Sequence, residues 1–304
     1  MHQKPPGRFF IVGSSRSGTT LLQAMLASHP RVYSLPETHF FCDATPRSRR
    51  LRWLGMVEPA RAGKALDRVI TLTGAQAGAA PAPAGRRYSR YCRAFVGALD
   101  TAAARAGKDV WVEKTPHHID YVEIIARRVP GAQFIHMLRD GRDVLASQYE
   151  AQQQDPQVWK QWPLEKMAET WNNDVQTSLA CAGRKRHLVV SYEDLIESPE
   201  AELRRVAEFM GIEFDAQMLS HGGAAAQVIV AGWRDRPWMQ NVSKPVSDTR
   251  LKKFKSVFSD TQRELVVRKL LWGGQVRDAI GRQPGAAALR VANKKEARME
   301  VRAV

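Results

Sequence analysis

The chain has 304 residues, of which 44% are hydrophobic and 25% charged, the balance of a soluble globular protein with one large core or two modest ones. No apolar run approaches the roughly 18–20 residues of a bilayer span, and the opening "MHQKPPGR" lacks the apolar core of a secretory signal, so a cytoplasmic protein is expected. The formal charge is +15, but 14 Lys and Arg against 5 Asp and Glu from position 250 onward place most of that excess in the C-terminal part, so it says little about the core.

In chain order, residues 9–12 read as a strand and Leu21, Leu22, Met25 and Leu26 as the buried stripe of a helix. Between them, four residues separate Gly13 from Gly18, as in the phosphate-binding loop of an ATPase. Thr19 stands where that loop places its lysine, and a cation, Arg16, lies inside the loop instead. "RVYSLPETHFF" offers a short second strand ending near Leu35. Residues 43–108 read as a variable insertion, with an Ala, Gly and Pro-rich connection at 73–87. A strand at 109–113 is cut short by Pro116; Ile119, Val122, Ile125, Ala126 and Val129 then fall on one helical face. The strand "QFIHML" follows, then a helix from about Arg142, a long helix marked by Leu164 to Leu179, the strand "HLVVSY" and a helix opened by Pro199. This alternation predicts an α/β fold, P-loop-like and three-layered α/β/α, with a mostly parallel sheet, a helical insertion and ligands beyond the carboxyl ends of the strands. We expect one domain over 1–272 and a loosely attached basic tail over 273–304. Cys42, Cys92 and Cys181 are odd in number, widely separated and in no metal-like spacing, which predicts free thiols without a role.

The loop between Gly13 and Gly18 presents successive N–H groups and the hydroxyls of Ser17, Thr19 and Thr20 at a helix N-terminus, a concavity suited to an anion. A kinase also needs a loop lysine, Mg²⁺ and an acidic residue at a strand end. "QFIHMLRD" puts Arg139 before Asp140, so the anion is expected to be handled by arginine and backbone with no metal demanded.

Taken together, these motifs resemble the sulfotransferases that use 3′-phosphoadenosine 5′-phosphosulfate (PAPS). "VGSSRSGTTLLQAML" matches the first signature of that family in its Arg form. "FIHMLRDGRDVLAS" supplies the second, an Arg followed eight residues later by Ser, and "LVVSYEDLIESPEAELRRVAEFMGI" a looser third. The resemblance runs from about residue 9 to 214, with a weaker echo at "VSKPV". It implies that Arg16, Ser17, Gly18, Thr19 and Thr20 hold the 5′-phosphosulfate, that Arg139 and Ser147 grip the 3′-phosphate at the other end of the nucleotide, that Tyr192 lies near the adenine, and that Lys244 is a C-terminal loop cation. Glu37 stands where the carbohydrate and protein-tyrosine branches place a catalytic glutamate, and Lys114 matches a lysine that steadies the transferred group. The rival base is histidine: in "EKTPHH" Pro116 occupies the position of the cytosolic branch's His, with His117 and His118 next and His39 nearby. The implied reaction moves the sulfuryl group of PAPS to a hydroxyl of a glycan, lipid, small metabolite or tyrosine, releasing adenosine 3′,5′-bisphosphate. Residues 43–108 and 148–162 would wall the acceptor pocket, and Trp53, Trp159, Trp162, Trp233 and Trp238 are candidates to stack on it. Two alternatives stand beside this reading: a small-molecule or nucleotide kinase of the same fold, and a basic module binding nucleic acid or, through its tail, an anionic membrane surface.

Overall fold

The computed structural model describes residues 6–74, 83, 85–220 and 252–270. Five strands form one sheet in the order β2-β3-β1-β4-β5, every pairing parallel. They are β1 (Gly7–Gly13), β2 (Val32–Ser34), β3 (Val110–Lys114), β4 (Ala132–Leu138) and β5 (His187–Ser191). Parallel strands need crossovers that cover both faces, so the strand centres are mostly apolar. Alternation does the rest: Phe10, Val12, Trp111 and Phe134 pack on one face, while Phe9, Ile11, Val112, Ile135 and Met137 pack on the other.

The first face is covered by α2 (Phe40–Ala44), α4 (Pro59–Leu72), α5 (Tyr88–Arg105) and α6 (Val122–Arg128). A short exposed helix, α3 (Arg49–Trp53), joins α2 to α4. The second face is covered by α1 (Thr19–Ala27), α9 (Tyr192–Glu197) and α10 (Pro199–Met210). A third apolar cluster joins α7 (Gly141–Gln154) and α8 (Leu164–Cys181) to α11 (Lys252–Val257) and α12 (Asp260–Lys269) through Val144, Trp171, Phe254, Phe258 and Val266.

The strand and helix expectations hold with shifts of a few residues at the ends. One element differs in kind. Where a helix is expected from His117, residues Pro116–Tyr121 form a 3-10 helix first, and only Val122–Arg128 is α-helical. The backbone enters through Pro116 with no side-chain cap on Thr115, which favours a tight initial turn over an α-helical one. Most of the Ala, Gly and Pro-rich connection, Lys244 and the tail lie outside the described residues. Among the described residues no helix is long and apolar enough to cross a membrane.

β1 is central, with β3 on one side and β4 on the other, so the chain reverses its direction of winding there. Crossovers leaving on opposite sides open a crevice at the carboxyl ends of β1 and its neighbours. Each of the five strands delivers a residue of interest at or just beyond that edge: Arg16 after β1, Glu37 after β2, Lys114 at the end of β3, Arg139 after β4 and Tyr192 after β5.

Candidate active site

The turn after β1 is held by close backbone approach. Gly13 has φ +146°, and a Cβ there would lie 2.4 Å from the carbonyl oxygen of Met137. Gly18 has φ +87°, and its Cβ would lie 2.3 Å from Cδ2 of Tyr192, so the ring of Tyr192 rests directly on the loop. Arg16, with φ 77°, adopts the left-handed conformation without glycine's freedom, a strained backbone of the kind found at ligand sites. Gln148 on α7 donates from Nε2 to the carbonyl of Ser15 at 2.9 Å and pins the crest of the turn. The N-cap of α1 is Gly18, which offers no side-chain cap, and the first turn holds no acidic residue. The positive end of that helix therefore faces the crevice uncompensated by the chain.

Two arginines lie beside this turn, near enough for the charge of Arg139 to depress Arg16. Arg16 donates from Nε to Ser147 Oγ at 3.1 Å and lies 6.0 Å from the ring of Trp159. Arg139 donates from Nη1 to the carbonyl of Arg16 at 3.2 Å and stacks 4.3 Å above the ring of Tyr192. Its Nη2 is 3.8 Å from the Asp143 carboxylate one turn on. Burial, and then the charge of Arg139, hold the Arg16 guanidinium down at about 10. Arg139 Nε and Ser17 Oγ are buried without a hydrogen-bond partner among the described residues. A buried donor left unpaired costs about 1–3 kcal/mol, and neighbouring like charges add to that. An anion with several oxygens would satisfy all of them.

The adjoining part of the crevice carries an acid–base cluster. Lys114, with its side chain only 3% exposed, donates to Thr20 Oγ1 at 3.1 Å and makes a close ion pair with Glu37 Oε1. The other carboxylate oxygen of Glu37 lies 3.2 Å from His39 Nε2. Burial alone would raise the Glu37 carboxyl, but Lys114 and then His39 outweigh it and hold it below the usual glutamate range. Thr20 thus links the loop to the lysine and the lysine to the glutamate.

The histidines divide sharply. His118 is fully buried and accepts from the Phe41 N–H at Nε2, 3.2 Å away, so its proton sits on Nδ1 and is donated to Glu113 Oε2 at 2.9 Å. Burial would raise the Glu113 carboxyl; His118 and the hydroxyls of Thr115 and Thr38 hold it at about 2. This is a structural pair, and His118 has no lone pair to offer an acceptor. His117 is exposed, with Nε2 3.4 Å from Ser15 Oγ on the outer side of the loop.

The structure brings Arg16, Ser17, Gly18, Arg139, Ser147 and Tyr192 into one contiguous group, with Thr20, Lys114 and Glu37 alongside. Thr19 is buried at the first position of α1. Arg139 bonds the backbone carbonyl of Arg16, so the two arginines are adjacent, and the Arg16 side chain is turned to Ser147, the residue expected to share the 3′-phosphate with Arg139. Lys244, Trp233 and Trp238 lie outside the described residues. Gln148, Trp159 and Asp174 are neighbours of the loop that no motif pointed to; Asp174 on α8 hydrogen-bonds Ser14, and burial pushes its carboxyl up to about 7.

Fold and site together define a P-loop-like α/β domain whose amides, hydroxyls and arginines converge on a position for a multiply charged anion. The sequence matches the Sulfotransferase family over residues 6–216, and the chain belongs to that family. It is 29% identical over 228 residues to protein-tyrosine sulfotransferase A of Caenorhabditis elegans, covering 70% of this chain and 52% of that protein. Against protein-tyrosine sulfotransferase 2 of Gallus gallus the identity is 27% over 222 residues, covering 70% and 53%. The chain thus spans about half the length of these relatives. The sulfotransferase domain of a Synechococcus PCC 7002 olefin synthase shares the fold, with a TM-score of 0.58 at 22% identity over 88% of this chain and 95% of that one.

Proposed function

We propose that the protein transfers the sulfuryl group of PAPS to a hydroxyl, and that the hydroxyl is the phenol of a tyrosine in a peptide. The observation that carries the first part is the pair of buried donors without partners among the described residues, Ser17 Oγ and Arg139 Nε, beside the adjacent Arg16 and the uncapped start of α1. A nucleotide phosphorylated at both ends presents enough oxygens to satisfy this array. The family and the names of the relatives support sulfuryl transfer; the protein-tyrosine sulfotransferases among them support the phenol.

PAPS brings the activated sulfuryl group and leaves as adenosine 3′,5′-bisphosphate. The residues of the chain do the rest. Ser17, Thr19 and Thr20 with the amides of the first turn of α1 bind the 5′ end, and Arg139 with Ser147 the 3′-phosphate, while Arg16 is released from Ser147 to neutralise charge developing on the bridging oxygen. The ring of Tyr192, held against Gly18 and Arg139, orients the adenine. Glu37, held ionised by Lys114, takes the proton of the acceptor hydroxyl at a carboxylate oxygen. General-base assistance of this kind contributes about 10²–10⁴-fold. Lys114, tied to Thr20, keeps a positive charge next to the group in transfer while Glu37 receives the proton.

A kinase needs an acidic side chain free to hold Mg²⁺ at a strand end. At the end of β3, Glu113 is spent on His118, Thr38 and Thr115, which favours the sulfuryl reading. Labelled PAPS incubated with a tyrosyl peptide, an oligosaccharide and a phenolic metabolite tests the proposal: label should enter the peptide. Thermal protection by adenosine 3′,5′-bisphosphate but not by ATP with Mg²⁺ is expected; the reverse order would refute the reading.

A further inference from the structure

Away from the crevice, β4, β5 and the C-terminal end of α8 bring together His136, His187 and Cys181, each offering one donor atom, all within 4.8 Å of one another. Among the described residues no other three His, Cys, Asp or Glu side chains converge in this way. His136 Nε2 and His187 Nδ1 lie 3.0 Å apart, and Nδ1 of His136 faces Ser178 Oγ at 3.3 Å. Ser178 and Cys181, three residues apart, share one face of α8 turned toward the sheet. His136 and Cys181 are buried and His187 is half-buried, its ring stacked on Phe134 at 4.9 Å.

We propose that these three side chains form a binding site for one Zn²⁺ ion, separate from the nucleotide crevice. Two imidazoles and a thiolate are the donor set of a borderline-soft ion; Mg²⁺ and Ca²⁺ take oxygen ligands and find none here. Zinc at about 2.0–2.1 Å from nitrogen and about 2.3 Å from sulfur places tetrahedral ligands about 3.3–3.7 Å apart. The 3.0 Å nitrogen pair and the 4.8 Å outer limit bracket that range, so side-chain shifts of about an ångström close the site. The proton inventory is consistent. With Nδ1–H of His136 donated to Ser178 Oγ, Nε2 of His136 is free to ligate, and Ser178 fixes its tautomer as an outer-shell partner does. His187 ligates through Nδ1 and carries its proton on Nε2, on the solvent side; the thiol of Cys181 releases one proton as its sulfur binds. The fourth position is open to water through the half-buried side of His187.

The occupied site would clip α8 to β4 and β5. β4 leads directly to Arg139, and α8 carries Asp174 against the loop, so both sides of the crevice share this anchor. The site would take part in neither sulfuryl nor proton transfer, and its test needs no activity. Full-length protein is titrated with Co²⁺, which reports thiolate ligation by a charge-transfer band in the near ultraviolet, and then with Zn²⁺, which should displace it. The expected result is saturation at one equivalent, loss of the band in Cys181→Ser, affinity at least about tenfold weaker in His187→Ala, and no change in Cys92→Ser or on adding Mg²⁺. Because Cys181→Ser is nearly isosteric and His187→Ala sits at the sheet margin, circular dichroism should show both folded. Absence of a band at one equivalent, or a band that survives Cys181→Ser, overturns the proposal; so does a zinc-induced rise in melting temperature of equal size in His187→Ala and the unaltered chain.

Discussion

Replacing Arg139 by alanine separates the roles that the crevice gives this residue. In the free protein the change removes a guanidinium stacked 4.3 Å over Tyr192 and bonded to the Arg16 carbonyl at 3.2 Å, and it leaves Asp143, 3% exposed, without that cation. A partly desolvated cation–π contact is worth about 1–2 kcal/mol, and the loss of a cation 3.8 Å from a buried carboxylate adds to that. Against these stands the relief of Arg16, whose guanidinium Arg139 depresses. The terms oppose one another, so a modest loss of stability, about 1–2 kcal/mol, is expected. Nucleotide binding has no such compensation. A charge-assisted hydrogen bond to a phosphate contributes about 1.5–3 kcal/mol, so adenosine 3′,5′-bisphosphate should bind Arg139→Ala about 10–100-fold more weakly. Calorimetric titration with the bisphosphate and with adenosine 5′-phosphosulfate, which lacks the 3′-phosphate, distinguishes ligand contact from loop support. The first affinity should fall by that factor and the second by less than about threefold, a coupling that additive effects cannot produce. Equal losses for both ligands would mean that Arg139 acts only by holding the Arg16 carbonyl, and the assignment of the 3′-phosphate to it would be wrong.

Glu37→Gln should lower the transfer rate about 10²–10⁴-fold while leaving bisphosphate affinity within a few-fold; and because Lys114 holds the carboxyl below its ordinary range, the pH–rate profile should have its acid limb below that range, whereas an acid limb well above the glutamate range would refute Glu37 as the base. Glu113→Gln breaks the fully buried pair with His118. Its folded value of about 2 against 4.5 means stability present above pH 4.5 and lost as pH falls through 2, about 3 kcal/mol in all, so the variant should melt lower at pH 7 and converge on the unaltered chain in acid. Asp174→Asn has the opposite sign. A carboxyl raised to about 7 contributes its stability only below the unfolded value near 3.8 and progressively loses it as pH rises through 7, so the variant should raise the melting temperature at pH 8 and have little effect at pH 4.

The sheet was legible because β1, β4 and β5 are mostly apolar runs followed by helices with clear stripes, and parallel pairing leaves few alternatives for such runs. The position of Arg16, Glu37, Lys114, Arg139 and Tyr192 at or just after strand ends was legible from the strand pattern, while the roles expected of them came from the motifs they share with a family. What escaped detection depends on packing between distant elements. Nothing in "AETWNNDVQT" marks Asp174 as a neighbour of Ser14, and Gln148 and Trp159 reach the loop from segments that carry no motif. His118 looked like a candidate base by spacing alone; only the fold shows its ring committed to Phe41 and Glu113. Cys181 looked idle for the same reason, since its histidine partners come from two strands.

The departures from local preference gather at one edge of the sheet. Arg16 sits in a conformation that costs a non-glycine residue about 1–2 kcal/mol, Arg139 is near enough for its charge to depress the Arg16 guanidinium, Ser17 Oγ and Arg139 Nε lack partners among the described residues, and Asp174 is buried where its charge is penalised. Departures elsewhere are scattered singly, such as the left-handed backbone of Arg186 and the buried Nη1 of Arg205. Strain persists where surrounding packing over-determines it, and here the packing is plain: Gly13 against the Met137 carbonyl, Gly18 against Tyr192, and Gln148 on Ser15 leave the loop no alternative position. Each unfavourable term has the same remedy, a ligand carrying negative charge and many acceptor oxygens. On the proposed function, the free protein gives up stability at a site that a bound dianion would restore, and the cost of ordering the site would be met during folding instead of at the moment of binding.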